Sequence, residues 1–206
     1  MYNTVISADA KGLIEYWDID TFELPTERLT FRLRSETDLF DFAKVGVELT
    51  TSQMLCLNWS YSFQSKCIPK SIDISPDGKL WASMGSDMHV RVFKFESGKI
   101  YKKLDESVEN YKAMQTNPES TFKIDAVDFG RRLAIELQLA QAESAPPSNV
   151  IFDQSGYFIL YPTMLGIKLV NLVTDQVHKQ CWYLRFSNLS KLFSTLVRNA
   201  FWKGRK

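Results

Sequence analysis

The sequence has few of the residues from which metal clusters and disulfide frameworks are built. Its three cysteines, Cys56, Cys67 and Cys181, include no C-x-x-C pair. Its two histidines, His89 and His178, are too far apart to form a helical pair of metal ligands. A zinc cluster and a disulfide framework are therefore excluded, and the cysteine content fits a reducing compartment.

Long apolar runs and glycine-rich phosphate loops are missing as well. No run approaches the roughly 18 to 20 apolar residues that cross a bilayer, and no charged-then-apolar signal follows Met1. Neither G-x-G-x-x-G nor G-x-x-x-x-G-K-[ST] occurs. We therefore expect an intracellular, soluble protein with no membrane partner, no cofactor and no small-molecule substrate.

An excess of charge is missing from the chain as a whole, but not from its end. The 206 residues carry 25 Lys and Arg against 24 Asp and Glu, and 45% are hydrophobic, which is enough for one sizeable core. Residues 179–206 hold seven basic residues and no acidic one, so the residues before them carry 18 basic against 24 acidic side chains. The bulk composition does not call for nucleic acid as a partner.

Short strands separated by turn residues are what the middle of the chain does contain. Residues 71–104 comprise four runs rich in β-branched and aromatic residues, separated by SPDGK, GSDMH and ESGK. These separators are turn formers because Pro presets φ, Gly accepts positive φ, and Asp and Ser bond the nearby backbone. The pattern predicts a four-stranded antiparallel meander.

The same pattern occurs twice more along the chain. Residues 149–179 repeat it, with Gly156 at the position of Gly78, and residues 5–23 match its second half. This order of elements is typical of a WD-repeat propeller blade, which has a strand, a Gly turn, a second strand, an Asp turn and a third strand ending in Trp-Asp. We therefore predict an all-β fold, with a partial WD-repeat β-propeller of about three blades in residues 1–178.

Helices are predicted between the repeats. Residues 35–44 begin with N-cap residues and acids, which favours a short helix. Residues 105–145 form a helical insertion, in which Phe129, Leu133 and Leu137 recur at helical spacing. Residues 45–67 form an atypical insertion that fits no blade.

The basic tail, residues 179–206, also differs from the repeats. Its apolar residues recur at helical spacing between positions 186 and 201, which predicts an amphipathic C-terminal helix. Three interpretations stay open for it. It is an unrelated reading frame, from a translated intron or an alternative transcript end; it is a helix that binds nucleic acid or a membrane; or it packs on an exposed propeller edge.

Several strings resemble one family. They are DLFDFAK at 38–44, SPDGK and GSDMHVRVFKFESGK between 75 and 99, DFGRRLAIE at 128–136, and IFDQSGYFILYPTMLGIKLVN at 151–171. Together they resemble the nuclear cyclophilins that carry an N-terminal WD-repeat propeller, the WD-repeat-containing peptidyl-prolyl isomerases. The similarity covers residues 1–44 and 68–178. The Phe-His-Arg and Gln-Phe-Phe strings of that family's cyclophilin domain do not occur, so the resemblance implies a part of the propeller with the cyclophilin domain absent.

The resemblance implies a non-catalytic scaffold that binds proteins in the nucleus, within spliceosomal or chromatin-associated complexes. Two alternatives stay open. One is peptidyl-prolyl cis-trans isomerase activity by family membership, which would accelerate an X-Pro step that is slow without catalysis. The other is nucleic-acid binding, only through the basic tail.

Six residues are predicted to hold the repeats together: Asp9, Trp17, Asp18, Gly78, Asp87 and Gly156. The aspartates at positions 9 and 87 lie in tight turns, where a carboxylate bonds backbone amides. The Trp-Asp dipeptide closes a blade, and we expect its indole to be buried between blades. The two glycines are isolated turn residues.

No catalytic residue is predicted. Ser86, Asp87 and His89 supply the residue types of a hydrolase, but side chains that are neighbours in a turn splay apart and cannot form the relay. The acidic pairs Asp105-Glu106 and Asp125/Asp128 lie at polar helix starts, where we expect them to cap the helix.

Arg131 and Arg132 are the candidate partner contacts. They adjoin Phe129, and two guanidinium groups beside an aromatic ring can recognise an acidic partner or RNA. The alternative is a solvated helix face on which Arg132 pairs with Glu136.

Overall fold

The computed structural model describes residues 3–42, 67–117, 123–142, 148–174 and 177–181. The strands are β1 (Thr4–Ala8), β2 (Ile14–Asp18), β3 (Pro69–Ile74), β4 (Leu80–Gly85), β5 (His89–Lys94), β6 (Ile100–Asp105), β7 (Ile151–Phe152), β8 (Phe158–Thr163), β9 (Gly166–Asn171) and β10 (Val177–Cys181). Two 3₁₀ helices, Arg34–Glu36 and Leu39–Phe42, follow β2. Two α-helices, α1 (Val108–Thr116) and α2 (Ala126–Gln141), lie between β6 and β7.

The strands form three antiparallel sheets. β1 and β2 pair with each other, β3 to β6 form a four-stranded meander, and β7 to β10 form a second one. The meander predicted for residues 71–104 is confirmed, because each strand pairs with the next across a short turn.

The β3–β6 sheet lies between the other two and contributes to two apolar cores. On one face, Trp81 and Phe93 pack with Tyr16 of β2. On the other face, Val92 packs with Val170 of β9. Since both faces are covered, β4 and β5 are buried along most of their length, as is usual for a strand between two layers.

The prediction of a partial WD-repeat β-propeller of about three blades is wrong. The described strands form separate sheets of two, four and four strands, and none of these strands closes them into a ring. Where β3 and β7 approach each other, side chains replace the strand ladder: Val150 N–H donates to Ser71 Oγ (3.1 Å) and Phe152 N–H donates to Asp73 Oδ2 (2.7 Å). The error arose because meander patterning reports pairing within a sheet and not the arrangement of sheets.

The helical segments begin at polar caps. Ser107 Oγ accepts the N–H of Asn110 at the start of α1, and Asp125 accepts the N–H of Val127 at the start of α2. The helix predicted around Phe129 is present. In its residues 126–139, no side chain is fully buried, and Phe129 only packs against the edge of a small apolar cluster.

Parts of two predicted segments lie outside the described residues. These are residues 45–66 of the atypical insertion and residues 182–206 of the basic tail, and β10 runs across the predicted boundary at residue 178. Among the helices that the structure does describe, none has the length and apolar content to cross a bilayer.

Candidate functional site

A group of bonded ionisable side chains surrounds the turn between β4 and β5. Asp87 lies in this turn and accepts the backbone N–H of His89 through Oδ1 (3.3 Å), as predicted for a turn aspartate. Its two carboxylate oxygens also accept from Arg91, Oδ1 from NH1 (3.0 Å) and Oδ2 from NH2 (2.6 Å). This paired geometry is the strong form of an arginine–carboxylate contact.

Arg91 connects this turn to a distant part of the chain. It lies on β5 with its side chain 0% exposed, and Nε donates to Asp41 Oδ2 at 2.6 Å. The guanidinium carbon lies 4.5 Å from the ring centroid of Phe42, which adds a cation–π contact. Lys103 of β6 binds the same Asp41 oxygen at 3.0 Å. Arg91 thus ties the 3₁₀ helix at residues 39–42 to the β3–β6 sheet.

Two further side chains complete what we call the Arg91 cluster: Asp41, Cys67, Asp87, His89 and Arg91. The Cys67 thiol donates to Asp87 Oδ1 at 2.9 Å. The imidazole of His89 lies between two carboxylates, 3.3 Å from Asp87 Oδ2 and 3.5 Å from Asp105 Oδ1. A side chain at Gly85 would collide with Cys67, Asp87 and Arg91, so glycine leaves the space that this cluster occupies.

Burial and pairing set the protonation of the cluster. Burial opposes ionisation of Asp87, but hydrogen bonds from His89, Arg91 and Cys67 outweigh it and hold the pKa of Asp87 well below its usual range. The same balance, with Arg91 and Lys103 as donors, lowers the pKa of Asp41.

The pKa values of the Cys67 thiol and the His89 imidazole are raised instead. Burial and the bond to Asp87 raise the pKa of Cys67, which disfavours the nucleophilic thiolate. The hydrogen bond to Asp87 raises the pKa of His89 despite its partial burial. A protonated thiol beside a carboxylate-bound imidazole lacks the free base that nucleophilic catalysis needs. The cluster therefore stabilises the fold. Ser86, Asp87 and His89 do not form a catalytic relay in the structure.

A second buried polar group lies between the two four-stranded sheets and α1. Glu106 is 2% exposed; it accepts from Lys168 Nζ (2.6 Å) and Tyr161 Oη (2.8 Å), and from Tyr111 Oη. Burial, and then the negative charge of Glu106, raise the pKa of both tyrosines. The prediction that Glu106 caps a helix is wrong, because Ser107 fills that position.

The remaining predicted aspartates both stabilise turns. Asp9 Oδ1 accepts the N–H groups of Lys11 (2.9 Å) and Leu13 (2.8 Å) between β1 and β2. Asp18 Oδ1 accepts those of Asp20 (2.8 Å) and Thr21 (3.2 Å) after β2. These side chains serve the local backbone.

Trp17 is half-buried, with its ring stacked on Phe22 and its Nε1 donating to Ser7 Oγ at 3.3 Å. Its indole therefore lies at a surface and not between two sheets. Gly78 and Gly156 have φ of 71° and 72°, the left-handed region that glycine tolerates best, and each N–H closes its turn.

The two candidate partner contacts on α2 differ in their surroundings. Arg132 donates to the main-chain oxygens of Leu165 (3.1 Å) and Met164 (3.5 Å), which fastens α2 to the turn between β8 and β9. Arg131 has a side chain 75% exposed, with Asp128 at 3.8 Å. Of the pair, Arg131 is the one that faces solvent.

Neither Arg91 nor Glu106 was predicted from the sequence to be the centre of a buried polar group. Arg91 lies among the apolar residues of β5, and an arginine at a position that should face a core is a signal that a partner acid is buried nearby. Glu106 carried no such signal, since its partners Tyr161 and Lys168 follow 55 and 62 residues later. In the described residues, no group of three or more His, Cys, Asp and Glu side chains is placed to hold a metal ion.

Comparison with known proteins shows that this chain is similar to part of several peptidyl-prolyl isomerases. It is 37% identical over 175 residues to the peptidyl-prolyl cis-trans isomerase CYP71 of Arabidopsis thaliana, covering 85% of this chain and 25% of that protein. It is 34% identical over 177 residues to the peptidylprolyl isomerase domain and WD repeat-containing protein 1 of Homo sapiens, covering 85% and 24%. The peptidyl-prolyl cis-trans isomerase 9 of Schizosaccharomyces pombe is 28% identical over 196 residues, covering 90% and 29%.

These homologues are cyclophilin-type peptidyl-prolyl isomerases. The chain spans about a quarter of the length of the first two. No protein-family model matches it.

Proposed function

We propose that this chain is part of a peptidyl-prolyl cis-trans isomerase, a protein that accelerates the interconversion of X-Pro bonds. Sequence identity of 37% and 34% to two such enzymes across 85% of this chain supports the proposal. The uncatalysed step takes tens to hundreds of seconds, so a catalyst for it changes the rate at which proline-containing segments fold or switch.

Within such a protein, we propose that the described residues bind proteins and do not catalyse. The observation that carries this proposal is the state of Arg91, which is 0% exposed and bonded to two aspartates. A guanidinium in that position cannot reach a peptide substrate. Glu106 and the two tyrosines that bond to it are buried in the same way. These polar groups therefore bond to one another and do not face a substrate.

The partners of this role are proposed from the sequence resemblance. We propose proteins of nuclear, spliceosomal or chromatin-associated complexes, and hence a nuclear location. A nuclear-excluded distribution of the fluorescently tagged full chain would contradict the location.

A proline-isomerisation assay on the purified 206-residue chain tests the division between binding and catalysis. We expect the cis-to-trans relaxation of a Xaa-Pro tetrapeptide to be no faster with the chain than with buffer, while a cyclophilin control accelerates it. An acceleration that scales with chain concentration would make this chain itself the isomerase and would refute the binding role.

A further inference from the structure

The turn after β2 displays an aromatic pair that core packing does not explain. The rings of Trp17 and Phe22 stack with centroids 5.9 Å apart at an interplanar angle of 18°. Phe22 is 75% exposed and Ile19 is 50% exposed, so Phe22 is the most exposed large hydrophobic residue in the described part of the chain. Exposed aromatic groups of this kind are enriched where proteins bind partners.

Two backbone hydrogen bonds fix the turn that carries Phe22. Its N–H donates to Asp18 O (3.0 Å), and Asp18 N–H donates to Glu23 O (2.9 Å). Phe22 has a φ of 59°, in the left-handed region where a bulky side chain is rare. The fold thus keeps a phenylalanine at a position that Asn or Gly would fill more easily, and its ring gains little burial there.

The surroundings of the pair are acidic. Residues 15–27 contain five acidic residues and no Lys or Arg. One of them, Glu15, is paired with Arg34. Asp18, Asp20 and Glu23 are neighbours of Trp17 and Phe22 in the sequence, and no ion pair is formed by any of the three within the described residues. Asp18 accepts two backbone N–H groups and Asp20 accepts from Asn3 Nδ2, none of which is a cation.

We propose that this surface, which we call the Trp17 patch (Trp17, Asp18, Asp20, Phe22 and Glu23), binds an arginine-containing extended peptide of a partner protein. A guanidinium is planar, so it can lie on an exposed ring face and donate at the same time to neighbouring carboxylates. A lysine ammonium is a compact, strongly hydrated charge and gains less from the ring. The inference rests on the proposed protein-binding role and supplies the chemistry of its partner.

The test is calorimetric titration of the full chain with a flexible nonapeptide of alternating Arg and Gly, and with its Lys and Glu counterparts. We expect saturable 1:1 binding of the Arg peptide, at least fivefold weaker binding of the Lys peptide, and none of the Glu peptide. Binding should weaken as salt rises, since exposed charges are screened.

Two substitutions in the Trp17 patch locate the site. Phe22→Asn removes the ring but keeps a residue that accepts the left-handed backbone, so this variant should fold like the parent chain. Glu23→Arg reverses a charge at an exposed side chain. Each should lower the affinity for the Arg peptide at least tenfold and leave the thermal unfolding midpoint of the chain unchanged.

Two matched controls lie elsewhere on the surface. Tyr157→Ala removes another exposed ring, which is 59% exposed, and Glu109→Arg reverses an exposed charge on α1. Both should leave the affinity within twofold of the parent chain. A loss as large in the controls as in the patch variants would overturn the proposal.

Three other results would also overturn it. They are equal affinity for the Arg and Lys peptides, unchanged affinity in Phe22→Asn, and self-association of the parent chain that Phe22→Asn abolishes, since the occupant would then be a second copy. A negative titration leaves the isomerisation assay unaffected, so failure of this site is distinguishable from failure of the proposed function.

Discussion

Replacing Arg91 by methionine should expose how much of the fold depends on the Arg91 cluster. Methionine keeps much of the volume of the side chain but removes the cation. Asp87 and Asp41 then lose their hydrogen bonds at 2.6 Å to NH2 and Nε. Removing one partner of a buried ion pair typically costs about 3 to 5 kcal/mol.

We expect a value near the lower end of that range, about 3 kcal/mol, for two reasons. Lys103 remains 3.0 Å from Asp41, and the Asp87 carboxylate is 14% exposed and can gain water. Since a domain of ordinary stability unfolds at a cost of about 5 to 15 kcal/mol, such a loss is a large share of the total.

The measurement is urea unfolding of the full chain at pH 7, followed by circular dichroism. Lys103→Met is the matched control, because it removes a cation from the same aspartate at an exposed position, 40% exposed. It should cost less than about 1 kcal/mol, the usual range for a surface pair. A loss below about 1 kcal/mol for Arg91→Met would refute the reasoning.

The dependence on pH gives the same prediction an independent check. The pKa values of Asp87 and Asp41 are lowered in the folded chain, so their contribution is present above the unfolded value near 4 and is lost as the pH falls through the folded values. Arg91→Met removes the part of this contribution that comes from Arg91. The difference in unfolding free energy between parent and variant should therefore narrow as the pH falls from about 5 to about 3.

Three further substitutions test other parts of the structure. Tyr16→Phe removes the oxygen that accepts from Trp81 Nε1 at 2.6 Å, and the unpaired indole N–H should lower the unfolding free energy by about 1 to 3 kcal/mol in urea titrations. Lys168→Met deprives the buried Glu106 of its cation and should cost about 3 to 5 kcal/mol by the same measurement. The pKa of His89 is raised, so its stabilising contribution is present below about pH 6.5 and is lost as the pH rises through the folded value. His89→Gln should abolish the resulting decline in unfolding free energy between about pH 6 and pH 9. An unchanged decline would show that another group titrates.

The local elements of this fold are readable from the sequence because their causes are local. The turn residues between positions 75 and 99 predict the β3–β6 meander, and Gly78 adopts the positive φ that its turn requires. The spacing of Phe129 and Leu133 predicts α2. Asp9 and Asp87 accept backbone N–H groups as a turn aspartate should.

The relation between the sheets could not be read in the same way. The repeat pattern suggested a propeller, but pairing within a meander leaves the packing of one sheet on another undetermined. The contact that fixes Arg91 joins it to Asp41, 50 residues earlier, and no local pattern links the two. Glu106 and Tyr161 are likewise 55 residues apart.

The resemblance to cyclophilin isomerases was carried by short strings, and the relatives found by comparison belong to that class. The surroundings of Trp17, in contrast, could not be predicted from a short string. The indole was expected to be buried as part of a closing dipeptide, whereas its exposure depends on which layer covers β2, a property of the whole molecule.

Where β3 and β7 meet, the joint between the two four-stranded sheets has two side-chain oxygens on β3 facing two main-chain N–H groups around β7, at Val150 and Phe152. No strand ladder crosses this joint. The strand register of one sheet therefore does not fix the strand register of the other. The amide protons of Val150 and Phe152 are also natural reporters, since their exchange with solvent follows the parting of the layers separately from the melting of the neighbouring strands. The two sheets thus share one apolar core without sharing a strand ladder.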